Sequence, residues 1–226
     1  MSAPERTALS TGTPAIVGRP EGAVARGLVL WPDIGGLRPV FEEHVRRLAA
    51  DRSWAVCAIE PFPGRETMTL EERFAAMPGL SDSAKLADLE AAVDVCRDAG
   101  AAEVGVIGFC MGGMLAMKSL ASPRIDRAAA FYGMIRVPES WRGPGLADAI
   151  DTVAERPRDL LAVFGMKDPW CPVEEIEELE ALGAHVARYP EADHGWAHDA
   201  TREGYRPDDA ADAWARAERF LATGDA

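Results

Sequence analysis

The sequence predicts an α/β fold, a mostly parallel sheet with helices on both faces. Three observations lead there. Short, almost wholly apolar runs recur along the chain, separated by segments whose apolar residues follow helical spacing. The apolar runs do not alternate with polar residues, so these strands must be covered on both faces. A glycine-rich hexapeptide, Gly108 to Gly113, joins one such run to a helical segment near mid-chain.

The elements follow in order. Residues 1–14 are assigned to a loose N-terminal tail, although the first dozen would also suit an edge strand. Ala25 to Trp31 is a buried strand ended by Pro32. Val40, Phe41, Val45, Leu48 and Ala49 recur at helical spacing, so Pro39 to Asp51 is expected to be a helix with proline near its start, where it is tolerated. Trp54 to Ile59 is the next strand. Leu86, Leu89, Val93 and Cys96 mark a helix capped by Ser81 or Ser83 and ended by Gly100. Val104 to Phe109 is a strand and Gly112 to Ala121 a helix. Ala128 to Tyr132 and Leu160 to Phe164 are strands. A helix through Ile176, Leu179 and Leu182 stops at Gly183, His185 to Tyr189 is a strand, and Ala210 to Leu221 marks the last helix.

The 226 residues suit one domain spanning 1–226. The composition, 48% hydrophobic and 27% charged, is that of a globular protein. A net charge of −13 argues against nucleic acid or an anionic membrane as partner. No run approaches the ~18 apolar residues of a membrane span. Cys57, Cys96, Cys110 and Cys171 include no CxxC pair, so no metal site and no cofactor is expected, and free thiols in a reducing cytoplasm are the simplest reading.

In open α/β sheets, sites gather at the C-terminal ends of strands. Asp33, Cys110, Tyr132, Asp168 and His194 stand there. Gly108-Phe109-Cys110-Met111-Gly112-Gly113 runs from strand to helix in the pattern of a nucleophile elbow, with cysteine as the nucleophile. Such a turn lifts the side chain above the sheet and puts the Met111 N–H at a helix N-terminus, where an oxyanion is stabilised. Phe164-Gly165-Met166-Lys167-Asp168-Pro169 presents an acid after a strand. Tyr189 to Trp196 (YPEADHGW) presents His194 on a loop, beside Asp193, a competing acid. Alone, the last two would be ordinary turns. Together the three run in the chain order nucleophile, acid, histidine of α/β-hydrolases.

These blocks resemble the dienelactone hydrolase family, the carboxymethylenebutenolidases and their relatives. GFCMGG, FGMKDP and YPEADHGW match that family's three blocks, and WPDIGG around Asp33 and the FYG of Phe131 to Gly133 match two more. The resemblance runs from about Val24 to the last helix. It implies an α/β-hydrolase fold, a Cys110–His194–Asp168 triad, and a second oxyanion N–H at Ile34. It also implies a glutamate near the thiol, where this chain has Asp33, and an arginine four residues after the catalytic histidine, where it has His198. Arg73 lies where relatives supply another arginine. Asp33, Arg73, Tyr132, Trp196 and His198 are the candidate substrate contacts.

The expected activity is cleavage of an activated ester or enol lactone through a thioester. A thiolate leaves a tetrahedral intermediate more easily than an alkoxide, so sulfur suits substrates that release a stabilised anion. A general carboxylesterase or thioesterase, or a ligand receptor that has kept the scaffold without turnover, are the alternatives. The expected partner is a small ester or lactone, and the expected state a monomer or small homo-oligomer.

Overall fold

In a computed structural model that describes residues 3–226, eight strands form one sheet. In chain order the strands are β1 (Glu5–Ala8), β2 (Pro14–Gly18), β3 (Arg26–Trp31), β4 (Trp54–Ile59), β5 (Val104–Phe109), β6 (Arg127–Phe131), β7 (Leu160–Gly165) and β8 (His185–Tyr189). The helices are α1 (Pro39–Arg52), α2 (Leu70–Ala76), α3 (Asp82–Asp98), α4 (Met111–Lys118), α5 (Ala149–Val153), α6 (Val173–Ala181) and α7 (Pro207–Thr223). The spatial order is β1-β2-β4-β3-β5-β6-β7-β8. Pairing is antiparallel from β1 to β4 and parallel from there to β8.

The continuous apolar strands have their explanation in two buried layers. Successive strand side chains point to opposite faces. Val29 and Trp31 of β3 join one core with Leu89 and Val93 of α3 and Leu115 of α4. Leu28 and Leu30 join the other with Phe41 and Val45 of α1 and Phe220 of α7. Among the described residues no helix is long and apolar enough to cross a membrane.

The N-terminal tail is corrected. Glu5–Ala8 pairs with β2 from Glu5↔Val17 to Ala8↔Pro14, so it is the edge strand instead. All four of its side chains are exposed. Backbone hydrogen bonds, which leave no hydropathy pattern, hold it in place.

Chain order reverses about β3, which has β4 on one side and β5 on the other. The crevice beyond the carboxyl ends of strands is deepest at such a switch point. The loop after β3 carries Asp33 and Ile34, and the turn after β5 carries Cys110.

Candidate active site

Cys110 adopts φ 57° and ψ −123° between β5 and α4. That backbone region is sparsely populated by residues with a side chain and persists only where the surroundings enforce it. Here they do. The Cys110 N–H donates to the Phe131 carbonyl at 3.0 Å, and the Cys110 carbonyl accepts from Gly113 at 2.8 Å. A Cβ on Gly108 would stand 1.9 Å from the Gly112 carbonyl oxygen, and one on Gly112 would stand 2.2 Å from that of Pro32. These glycines let the β3 loop close onto the elbow. Among the described residues, neither the Met111 N–H nor the Ile34 N–H donates to a protein acceptor.

His194 and Asp168 meet across the loops after β8 and β7. The His194 Nδ1–H donates to Asp168 Oδ2 at 2.7 Å, while Asp168 Oδ1 accepts the Trp170 N–H at 2.9 Å. The Asp168 carboxyl is fully buried and the His194 ring largely so. Burial alone would discourage charge on the ring. Hydrogen bonding to Asp168 and then to Cys110, with the charge of both, outweighs it and raises the His194 pKa from 6.5 to about 10. Asp193 accepts the His194 backbone N–H at 2.7 Å, so Asp168 is the partner of the ring.

Residues 13–224 match the dienelactone hydrolase family. The chain belongs to that family. It is a carboxylic ester hydrolase by class. A carboxymethylenebutenolidase of Pseudomonas putida is 29% identical, over 92% of this chain and 90% of that protein. A Synechocystis protein provisionally given the same name is 33% identical, over 61% of this chain but only 58% of the relative's length. A solved structure from Klebsiella pneumoniae, provisionally assigned as a dienelactone hydrolase, superposes with a TM-score of 0.84 at 23% identity, covering 97% of this chain and 98% of that one. A dienelactone hydrolase-like promiscuous phosphotriesterase from metagenomic libraries superposes at 0.74 with 17% identity, over 97% of each chain, a likeness of fold alone.

Cys110 and His194 of this family member open onto a cavity of about 430 Å³. One side is apolar: Phe74, Trp141 and Trp170, with Met68, Leu70 and Met134. Trp170, 37% exposed, stacks on Trp141 at 5.6 Å, and its backbone N–H donates to Asp168. The other side carries Asp33, Arg38, Arg73 and Arg202.

The sequence expectations for substrate contacts divide. Asp33 and Arg73 reach the cavity wall. The Arg73 guanidinium, however, is buried against Glu60 at 2.9 Å and donates to the Glu66 carbonyl at 2.9 Å. Tyr132, Trp196 and His198 are not in the wall, and all three are buried beneath it. His198 is drawn inward by both ring nitrogens, to Asp33 at 2.9 Å and to the Tyr132 hydroxyl at 2.6 Å. It therefore does not present its ring to a substrate as an arginine at that position would.

Sequence reasoning missed Arg38, Arg202 and the aromatic side. The Arg202 guanidinium lies over Gly195, so that a Cβ there would come 2.8 Å from its Cζ. Among the described residues no carboxylate pairs with it. Nothing in the local sequence Thr201-Arg202-Glu203-Gly204 announces a site. Among the described residues no His, Cys, Asp and Glu cluster could hold a metal ion.

Proposed function

We propose that this hydrolase cleaves activated esters, enol lactones among them, through a covalent thioester on Cys110. The observation that supports it best is that His194, bonded to the buried Asp168 carboxylate, and Cys110, on a strained elbow, line one cavity. In this reading His194 takes the proton of the Cys110 thiol, and the resulting thiolate attacks the substrate carbonyl carbon. The Met111 N–H, at the start of α4, and the Ile34 N–H receive the oxyanion. The carbonyl re-forms, the bond to the leaving oxygen breaks, and His194 gives that oxygen its proton. Water, losing a proton to His194, then attacks the thioester. The Cys110 sulfur leaves with the bonding pair and the acid is released.

Sulfur sets the substrate class. A free thiol has a pKa of roughly 8.5, so the tetrahedral intermediate returns to starting material unless the leaving oxygen is itself a stabilised anion. Enolates and phenolates meet that condition and simple alkoxides do not. The carboxymethylenebutenolidase name of the relatives agrees with a lactone substrate.

A second reading, a carboxylesterase acting on neutral aromatic esters, is favoured by the exposed Trp170 face on Trp141. The two differ in what they ask of Arg202, the cavity cation that no carboxylate neutralises. All four cysteines are free thiols, which fits a reducing compartment such as the cytoplasm.

The deciding experiment traps the intermediate. An aryl ester is mixed with enzyme, quenched in acid within the burst, and the adduct is located by peptide mass spectrometry. The acyl group is expected on Cys110. A pre-steady-state burst with the adduct elsewhere, or turnover that survives stoichiometric alkylation of Cys110, would overturn the proposal.

A further inference from the structure

A second imidazole–carboxylate pair lies close by, with Asp33 in the wall of the same cavity and His198 buried, and the proposed mechanism gives it no task. Asp33 lies at the start of the loop after β3 with both carboxylate oxygens occupied. Oδ1 accepts the Gly35 N–H at 2.8 Å, and Oδ2 accepts from His198 Nε2 at 2.9 Å and from Arg38. His198 is held in turn. Its Nδ1 accepts from the Tyr132 hydroxyl at 2.6 Å, and its ring is stacked on Phe41 at 5.6 Å and packed against Phe109 at 5.2 Å. His198 is 2% exposed and Tyr132 fully buried.

What Asp33 holds is a tight turn. The Gly36 N–H donates to the Asp33 carbonyl at 3.0 Å, and Gly36 has a φ of +72°. Ile34 is the second residue of this turn, and its N–H is the second oxyanion donor of the proposed mechanism. The opposite flank is held by Glu60, which accepts the Leu37 N–H at 3.0 Å, and by Arg73, which donates to the Ile34 carbonyl at 3.4 Å. A Cβ on Gly35 would meet Arg38 Nε at 2.6 Å, and one on Gly36 would meet Glu60 at 2.6 Å. The turn is wedged between two ion pairs, Asp33–Arg38 and Glu60–Arg73.

A carboxylate with this many partners is ill placed to take a thiol proton, since a proton on Oδ1 would displace the Gly35 N–H and one on Oδ2 would compete with His198 and Arg38. We propose that Asp33, locked by His198 and Arg38, is a positioning residue that fixes the Ile34 N–H for the oxyanion and does not act as a base toward Cys110. This rests on the proposed acyl transfer at Cys110. It assigns to Asp33 and His198 a role in rate, through geometry, and none in substrate binding.

The test compares Asp33→Asn, Asp33→Ala and Tyr132→Phe with the wild-type enzyme. Each is assayed for kcat and KM on a phenyl ester, and for the pH dependence of Cys110 alkylation by iodoacetamide. Asn keeps its oxygen on the Gly35 N–H and turns its NH2 to His198 Nε2, which accepts it once the ring carries its proton on Nδ1, so Asp33→Asn is expected to retain a third or more of kcat. Asp33→Ala is expected to lose about 10²-fold in kcat, the scale of a lost oxyanion donor, with KM within about threefold. Tyr132→Phe keeps the buried ring and unseats only His198. It is expected to cost about fivefold in kcat and stays informative if the alanine variant does not fold. The alkylation curve should coincide in all four proteins. If Asp33→Asn is as impaired as Asp33→Ala and its alkylation curve moves away from that of the wild type, Asp33 is a proton acceptor and the proposal falls. Unchanged kcat in Asp33→Ala and Tyr132→Phe would also sink it. Failure of the Cys110 reading is a separate result, visible in the wild-type protein alone as activity that survives alkylation.

Discussion

Replacing Asp168 by Asn removes the negative charge under His194 at nearly constant volume. The rise of the His194 pKa from 6.5 to about 10 corresponds to a preference for the imidazolium on the order of 5 kcal/mol, at roughly 1.4 kcal/mol per unit. Burial opposes that preference, and Asp168 and Cys110 share in supplying it, Asp168 first. If Asp168 supplies half, its loss costs about 2.5 kcal/mol in any step that needs the charged ring, close to 10²-fold in rate. The asparagine can also stabilise the wrong ring tautomer, which adds to the loss. The direction on the pH axis follows from the sign. An adjacent carboxylate raises an imidazole pKa, so acylation by wild type should persist until pH approaches 10 and fall as His194 loses its proton. In Asp168→Asn that alkaline limb should move down by nearly two pH units, at roughly 1.4 kcal/mol per unit. The assay is kcat/KM for a phenyl ester from pH 5 to 10.5, with circular dichroism to verify the fold. Asp193→Asn, which alters only an acceptor for the backbone N–H of His194, is the control and should stay within about twofold. An alkaline limb that stays in place in Asp168→Asn, or a larger loss in Asp193→Asn, would refute the reasoning.

Iodoacetamide should label Cys110 first and abolish activity in proportion. Cys57, Cys96 and Cys171 are buried, and burial pushes their thiols up, that of Cys96 to about 12, so peptide mapping should find them unmodified in the folded protein. Cys110→Ser should narrow the rate ratio between a phenyl and an alkyl ester of one acid, because an alkoxide nucleophile no longer leaves so readily; an unchanged ratio would mean that leaving-group expulsion does not limit turnover. Arg202→Gln should raise KM for a lactone bearing a carboxylate by about tenfold, one charge-assisted contact, and leave a neutral phenyl ester within twofold. Equal effects on the two would favour the neutral-ester reading. Gly112→Ala should destabilise by 4 kcal/mol or more, on the order of the most damaging single substitutions, because its methyl would meet the Pro32 and Trp31 carbonyls at 2.2 and 2.3 Å. A melting temperature within about 3 °C of wild type would mean that the elbow yields more readily than its contacts indicate.

The parallel strands were legible because being buried on both faces leaves a continuous apolar run, and β4, β5 and β8 have the expected limits. Strand β1 was legible only as the alternative to a loose tail, since Glu-Arg-Thr-Ala lies on the rim of the sheet with all four side chains exposed and leaves no apolar pattern. Helix α2 did carry a signal that went unread: Thr69 and Glu72 form a reciprocal capping box. The Cys110, Asp168 and His194 positions could be read because each is tied to a local backbone device, two tight turns and an elbow. The cavity wall could not. Trp141, Trp170 and Arg202 come from separate loops, and only the folded chain brings them around one space. The partners of Arg73 and His198 could not be read either. Glu60 and Asp33, which engage them, stand 13 and 165 residues away.

Two histidines four residues apart, each bonded to a buried carboxylate, thus end with opposite tendencies. Hydrogen bonding and charge raise His194, whereas burial lowers His198 despite its bond to Asp33. A carboxylate partner alone therefore does not decide the protonation of a buried imidazole; the second ring nitrogen does much of it. In His194 the interactions beyond Asp168 are with Cys110, whose sulfur favours a protonated ring. In His198 the remaining nitrogen faces the Tyr132 hydroxyl. That hydroxyl has its own proton to offer, which needs Nδ1 as a lone-pair acceptor and favours the neutral ring. His194 is also partly open to the cavity while His198 is sealed, so water can share the charge of one and not of the other. In the proposed mechanism the same pair of residue types makes a proton carrier at His194 and a fixed brace at His198 and Asp33.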